Sequence, residues 1–169
     1  MRARIAASIV LAVSVVLGTA GCNMIAPQAT TKHYNASDGV SGNVGQVAVR
    51  NAILISQSGT DANLLVTFVN SDTRSHRIGI QHEVDGKQTT QHVTLPASET
   101  TVVGTPDEPL VILDNIDTQP GALFPVFFQY GDQTGISLLV PVLDGTLPTY
   151  KNLTPERVTE ADAKDLVTG

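Results

Sequence analysis

The sequence predicts an all-β fold, an antiparallel β-sandwich of about eight short strands followed by a short C-terminal helix. Three observations carry that expectation. Apolar runs of four to nine residues recur from Val44 onward at intervals of about 8 to 14 residues, with no helical period between them. The gaps are filled by turn formers, among them Ser58-Gly59-Thr60-Asp61, Asp85-Gly86 and Pro96-Ala97-Ser98-Glu99. Val, Ile and Leu supply most apolar residues, Trp is absent and aromatics are 4%, which suits a β-branched core on pleated surfaces. Such spacing is the pattern of immunoglobulin-like and cupredoxin-like sandwiches.

The elements follow in order. Val47 to Ile55 is a long strand with a bend at Arg50-Asn51. Leu64 to Asn70 is apolar on both faces and reads as a buried central strand. Arg77 to Val84 alternates, with Ile78, Ile80 and Val84 on one side, and Gln88 to Leu95 returns after the Asp85-Gly86 hairpin signal. Thr100 to Val103 and Leu110 to Leu113 are short strands. Leu123 to Tyr130 and Ile136 to Val142 form a last hairpin. Pro125 and Pro141 donate no ladder bond, so each belongs at an edge, a bulge or an outward-facing position. Residues 144–169 read as a loop that folds back over the sandwich and a short helix capped by Thr154 with Pro155 at its first position, ending near Val167.

The first 43 residues have a different character. Arg2 and Arg4 precede an uncharged run from Ile5 to Leu17, too short for the roughly 20 apolar residues of a membrane span but fitting the core of a signal peptide. Thr19, Ala20 and Gly21 then lead to Cys22, the chain's single cysteine. Residues 1–21 resemble a bacterial lipoprotein signal, although Thr19 stands where Leu is usual. The resemblance implies cleavage before Cys22 and a diacylglyceryl group on its thiol. Two acyl chains suffice for stable anchoring, each buried methylene contributing about 0.8 kcal/mol. Residues 22–43, rich in Thr, Ser, Gly, Asn and Ala, read as the lipidated N-terminus and a flexible tether spanning about 25 Å. The expected address is the extracytoplasmic face of the cell membrane.

Charge narrows the partners. The formal net charge is −6. Without Arg2 and Arg4, eight basic residues face sixteen acidic ones, giving −8. That sign argues against nucleic acid, which is bound through cationic contacts to phosphate.

The search for chemistry yields few candidates. His82 and His92 flank the Asp85-Gly86 turn and invite a metal-pair reading. A two-residue turn pairs Val84 with Lys87 and His82 with Thr89, and puts His92 opposite Gly79 on the other face, so the imidazoles do not meet. Cys22 is consumed by lipid and no Gly-x-Ser-x-Gly elbow occurs. Asp107 and Glu108 read as solvated loop acids. Asp114, Asn115 and Asp117 suggest calcium, without the glycine and distal glutamate of an EF-hand loop. The 123–130 strand gathers Phe124, Phe127, Phe128 and Tyr130. It reads as core, or alternatively as an edge marked by Pro125 with an outward partner patch. No catalytic residue and no cofactor are expected.

Three segments, Val44 to Ala52, Leu65 to Asn70, and Pro125 to Tyr130 with Val140-Pro141-Val142, resemble small β-sandwich lipoproteins of actinobacteria of the LpqE type. More distantly, the strand order is similar to PCuAC-type periplasmic copper chaperones. That family's His and Met ligands cannot be carried over, because the chain's two methionines are Met1 and Met24, outside the sandwich. The expectation is therefore a lipid-anchored, non-enzymatic envelope protein with a binding or accessory role and an envelope protein partner. The LpqE resemblance implies association with a membrane respiratory complex. The alternative is a histidine-based metal chaperone.

Overall fold

The computed structural model describes residues 4–6 and 37–159. The chain divides into two compact units, Met1–Tyr34 and Asn35–Gly169. In the first, Arg4, Ile5 and Ala6 are helical. The rest of the expected leader, including Thr19, Ala20 and Gly21, lies outside the described residues, as do Cys22, the tether through residue 36 and the tail beyond 159. Among the described residues no helix is long and apolar enough to cross a membrane.

The described part of the second unit has nine strands: β1 (Val40–Val44), β2 (Val47–Ile55), β3 (Ala62–Asn70), β4 (His76–Val84), β5 (Lys87–Leu95), β6 (Thr100–Val103), β7 (Ile112–Leu113), β8 (Leu123–Gln129) and β9 (Ile136–Leu143). They form one curled sheet in the order β5-β4-β8-β9-β2-β3-β6, with β1 added to β2 and β7 to β3. The fold is the expected all-β, sandwich-like one. Strand β1 is one more than expected, and it starts four residues inside the segment read as tether.

Curling divides the sheet into two facing leaves, and β9 belongs to both. It pairs antiparallel with β8 from Leu123↔Pro141 to Phe128↔Ile136. Its end pairs parallel with β2 at Leu54↔Val142 and Ile55↔Leu143. This parallel step departs from the purely antiparallel expectation. It arises because β9 leaves one leaf and continues along the other. The inner faces meet in one core, where Phe68 of β3 and Phe128 of β8, both fully buried, pack edge to face with centroids 6.0 Å apart. Pro125 lies in an inner strand, but its side chain points outward and the pairing of β8 with β4 stops at Phe127, as expected of a residue without an N–H.

The bend at Arg50-Asn51 is a β-bulge. Val49 pairs with Phe68 before it and Ile53 with Leu65 after it, so β2 gains one residue on its partner. Asn51 takes a positive φ of 51°. Its side-chain Oδ1 accepts from Gly39 N–H at 2.9 Å, and the Arg50 guanidinium donates to Gly42 O at 2.8 Å. The extra residue reverses the alternation. Val47 and Val49 face the core before the bulge, Ala52 and Leu54 after it. Ile53 and Ile55 are thereby turned to the outer face, where a second cluster with Tyr150, Leu65, Leu143 and Leu153 covers them.

That second cluster holds the folded-back tail. Tyr150 is 6% exposed, and its hydroxyl donates to Asp38 Oδ2 at 2.7 Å. Asn63 Nδ2 donates to Gly104 O at 2.7 Å and Leu153 O at 3.0 Å. Residues 155–159 begin the expected helix, with Arg157 and Val158 N–H groups donating to Thr154 O. Its expected end falls outside the described residues.

Truncation of Phe128 to Ala removes the ring that joins the leaves and is expected to cost about 3–5 kcal/mol in urea unfolding; a loss under 1 kcal/mol would contradict the packing. The Tyr150 hydroxyl is pushed up from 10.0 to about 12, chiefly by donating to the Asp38 carboxylate and secondly by burial. A folded value above the unfolded one makes this contribution complete below pH 10 and lost as pH rises through 12. The alkaline fall in stability between those values should therefore be shallower in Tyr150→Phe than in wild type, and equal slopes would refute the clasp.

Candidate functional site

The β4–β5 hairpin fixes the position of every histidine in the described residues. Asp85 and Gly86 have φ of 52° and 74°, the two positive values of a two-residue turn matched to strand twist. Val84 then pairs with Lys87, His82 with Thr89 and Gly79 with His92, the register that the hydrophobic pattern predicts. His82 falls on the inner face with Ile78 and Ile80 and is 5% exposed, its ring 6.2 Å from Phe124. His92 is exposed on the opposite face. The His82–His92 metal pair is thus not assembled.

The aromatic patch also needs correction. Alternation along β8 turns Phe124 and Phe128 inward, and Tyr130 follows them into the core; all three are buried and only Phe127 faces out, half-buried. The Tyr130 hydroxyl accepts from Gln46 N–H at 2.9 Å. His76 stacks on Tyr130 at 4.3 Å and bonds Asp72 Oδ2 through Nε2 at 2.9 Å. This bond, first among several causes, holds the Asp72 carboxyl below the usual carboxylate range. Sequence reasoning missed this cluster, because only the fold brings residues 46, 72, 76 and 130 together.

A cleft of about 720 Å³ opens at the tip of the hairpin. One wall is hairpin: His82, Asp85, Lys87 and Thr89. The other is the loop carrying Asp114, Asn115 and Asp117. Ile116 plugs the loop into the core, 4% exposed, with its N–H donating to Thr60 O at 2.7 Å. Asn115 and Asp117 on either side have positive φ, 54° and 43°, and Asn115 N–H donates to Asp61 Oδ1 at 2.9 Å. Anchoring the one apolar residue turns its acidic neighbours out to the rim. Three carboxylates against one ammonium make the rim negative, which favours a cationic or hydrogen-bond-donating group.

His82 is the unusual member. Among the described residues its imidazole has no hydrogen-bond partner, but its ring nitrogens are not sealed from solvent; the buried side-chain atom left without a partner there is Asn63 Oδ1. Lining this cleft, it is placed to meet a ligand. Among the described residues no group of three or more His, Cys, Asp or Glu is gathered closely enough to hold a metal ion, so the Asp114–Asp117 loop forms no calcium cage. Asp107 and Glu108 are exposed in the turn after β6, as expected of solvated loop acids.

No family model matches the chain, and no curated protein matches it. Solved structures do. An apo PCuAC domain from PmoF1 is 13% identical, with a TM-score of 0.51 over 61% of this chain and 98% of that one. A copper-bound PCuAC domain from PmoF2 is 16% identical, with a TM-score of 0.47 over 62% and 97%. An exo-chitosanase from Amycolatopsis orientalis is 24% identical, with a TM-score of 0.33 over 57% of this chain and 13% of its own. The likeness to the PmoF1 domain is one of fold.

The His82 imidazole makes no hydrogen bond that holds the fold together among the described residues, so an apolar side chain in its place removes no native bond. His82→Leu should therefore unfold at equal or higher urea concentration than wild type. A marked loss of stability would make His82 a structural residue.

Proposed function

We propose that the protein is a lipid-anchored, non-enzymatic protein of the cell envelope that binds its partner through the His82 cleft. One observation carries the cleft assignment: His82 is 5% exposed, has no hydrogen-bond partner among the described residues, and opens on a rim of Asp85, Asp114 and Asp117. The anchor rests on the leader pattern ending in Thr19-Ala20-Gly21-Cys22. The LpqE-type resemblance of parts of residues 44–142 supports an accessory role beside a membrane respiratory complex. On this reading the ligand group is cationic, and Lys87 limits how many positive charges the rim accepts.

The PCuAC-like fold favours a second reading, metal carriage. Its one protein donor from the cleft would be the His82 imidazole, completed by solvent oxygen, since thioethers are lacking in the sandwich, His92 faces away and no three metal-ligating side chains are gathered among the described residues. Nitrogen and oxygen donors suit Cu(II) or Zn(II) better than Cu(I).

Co-purification of the tagged protein from solubilised membranes should return a stable envelope partner that His82→Leu loses and His92→Leu keeps. Recovery alone under several mild detergents, or retention by both variants, would overturn the cleft reading. Titration calorimetry decides the second reading: Cu(II) binding tighter than micromolar and abolished in His82→Leu would replace the first. Fractionation tests the anchor separately, because Cys22→Ser should move the folded protein from membrane to supernatant at low and high salt alike.

A further inference from the structure

Strand β5 ends the sheet, and it is an unusual edge. Edge strands offer unpaired N–H and C=O groups, and proteins blunt them by shortness, bulges, proline or inward charges. The other outer strands here follow that rule: β6 has four residues, β7 has two, and β1 carries a register shift between Val40 and Gly42. In contrast, β5 runs nine residues without a bulge or proline, and Lys87 at its start is its single charge.

The hairpin register fixes which backbone groups are free. A two-residue turn makes its flanking pair, Val84 and Lys87, a hydrogen-bonded pair. Bonded pairs then recur at every second residue, taking Thr89, Gln91, Val93 and Leu95 toward β4. The backbone groups of Gln88, Thr90, His92 and Thr94 point away from the sheet, and all four residues are exposed. Among the described residues no other segment pairs with this edge.

These four residues are symmetric about Gln91. We propose that β5 is a self-association edge, on which two copies of the chain pair antiparallel about a two-fold axis through Gln91. In that register Gln88 meets Thr94 of the second copy and Thr90 meets its His92, so all eight free backbone groups are used. No like charges oppose each other, because Lys87 lies across from Leu95. A β5 strand of a second copy satisfies every free group and leaves no residue out of phase.

The pairing makes Gln91 face its own copy in a non-hydrogen-bonded pair, with Cα atoms about 4.5 Å apart, close enough for a disulfide. The test uses the full chain with Cys22→Ser in mild detergent. Sedimentation equilibrium should show a doubling of protein mass with rising concentration, and Thr90→Pro should abolish it. That substitution removes one outward N–H and leaves the pairing with β4 intact, so its melting temperature should match wild type. As a second route, Gln91→Cys should form a covalent dimer under mild oxidant while Thr94→Cys does not. A monomer at every concentration, a dimer that survives in well-folded Thr90→Pro, or equal cross-linking at both positions would overturn the proposal. Protection of the β5 amides by a different protein's strand, with the chain alone monomeric, would overturn it equally.

Discussion

Strand β9 is the constraint on which the rest of the structure depends. A sandwich needs its two inner faces held in register, and this chain has no disulfide to hold them, since Cys22 is its one cysteine. The link is made by backbone instead. One strand is shared, antiparallel to β8 on one side and parallel to β2 at its end. Val140 and Val142, both fully buried, sit where the leaves join. The Leu143 carbonyl accepts from Ser56 N–H at 2.9 Å, carrying the ladder past the end of β2. With that junction fixed, Phe68 and Phe128 meet across the core, and the β4–β5 hairpin projects from the far end of the same leaf.

The bulge in β2 is the second determinant. Without the extra residue, Ile53 and Ile55 would continue the inward alternation and Ala52 and Leu54 would face out. With it, the outer face receives two isoleucines that need cover, and the tail supplies Tyr150 and Leu153. The Tyr150–Asp38 bond then ties the tail to the residues just before β1. Both ends of the described sandwich are thereby fastened on one face, away from the His82 cleft at the hairpin tip.

Much of this was legible in the sequence, because strands with one buried face declare themselves by period. The β4–β5 register followed from Asp85-Gly86 and the placement of Ile78 and Ile80, and with it the separation of His82 from His92. The kink at Arg50-Asn51 was visible as a break in alternation. Strand β1 was not, since Val40-Ser41-Gly42-Asn43 is polar and glycine-bearing; it is held by pairing to β2, by the Arg50 side chain and by the Asn51 N–H donating to Ser41 Oγ. The parallel step of β9 left no mark either, as strand direction is set by leaf closure rather than by local pattern. Of the site, His82 was picked out and correctly parted from His92, but the loop across the cleft from it was not seen. Its real neighbours, Asp114 and Asp117, are brought there because Ile116 is the one apolar residue in its loop, a signal too short to assign without the fold. Phe124, Phe128 and Tyr130 proved to be core because period 2 turns them inward, and Phe127 alone faces out.

The stable frame and the functional surfaces divide along the same line. Buried apolar ladder in β2, β3, β8 and β9 supplies cooperativity, while the hairpin tip, its unpartnered imidazole and the open β5 edge contribute little to it. Native-state hydrogen exchange, resolved by residue, measures that division directly. Amides of Leu54, Ile55, Val140 and Val142 should exchange only through global unfolding, and those of Gln88, Thr90, His92 and Thr94 orders of magnitude faster. Exchange of Val140 and Val142 at the rate of the β5 edge would show that β9 does not hold the two leaves together.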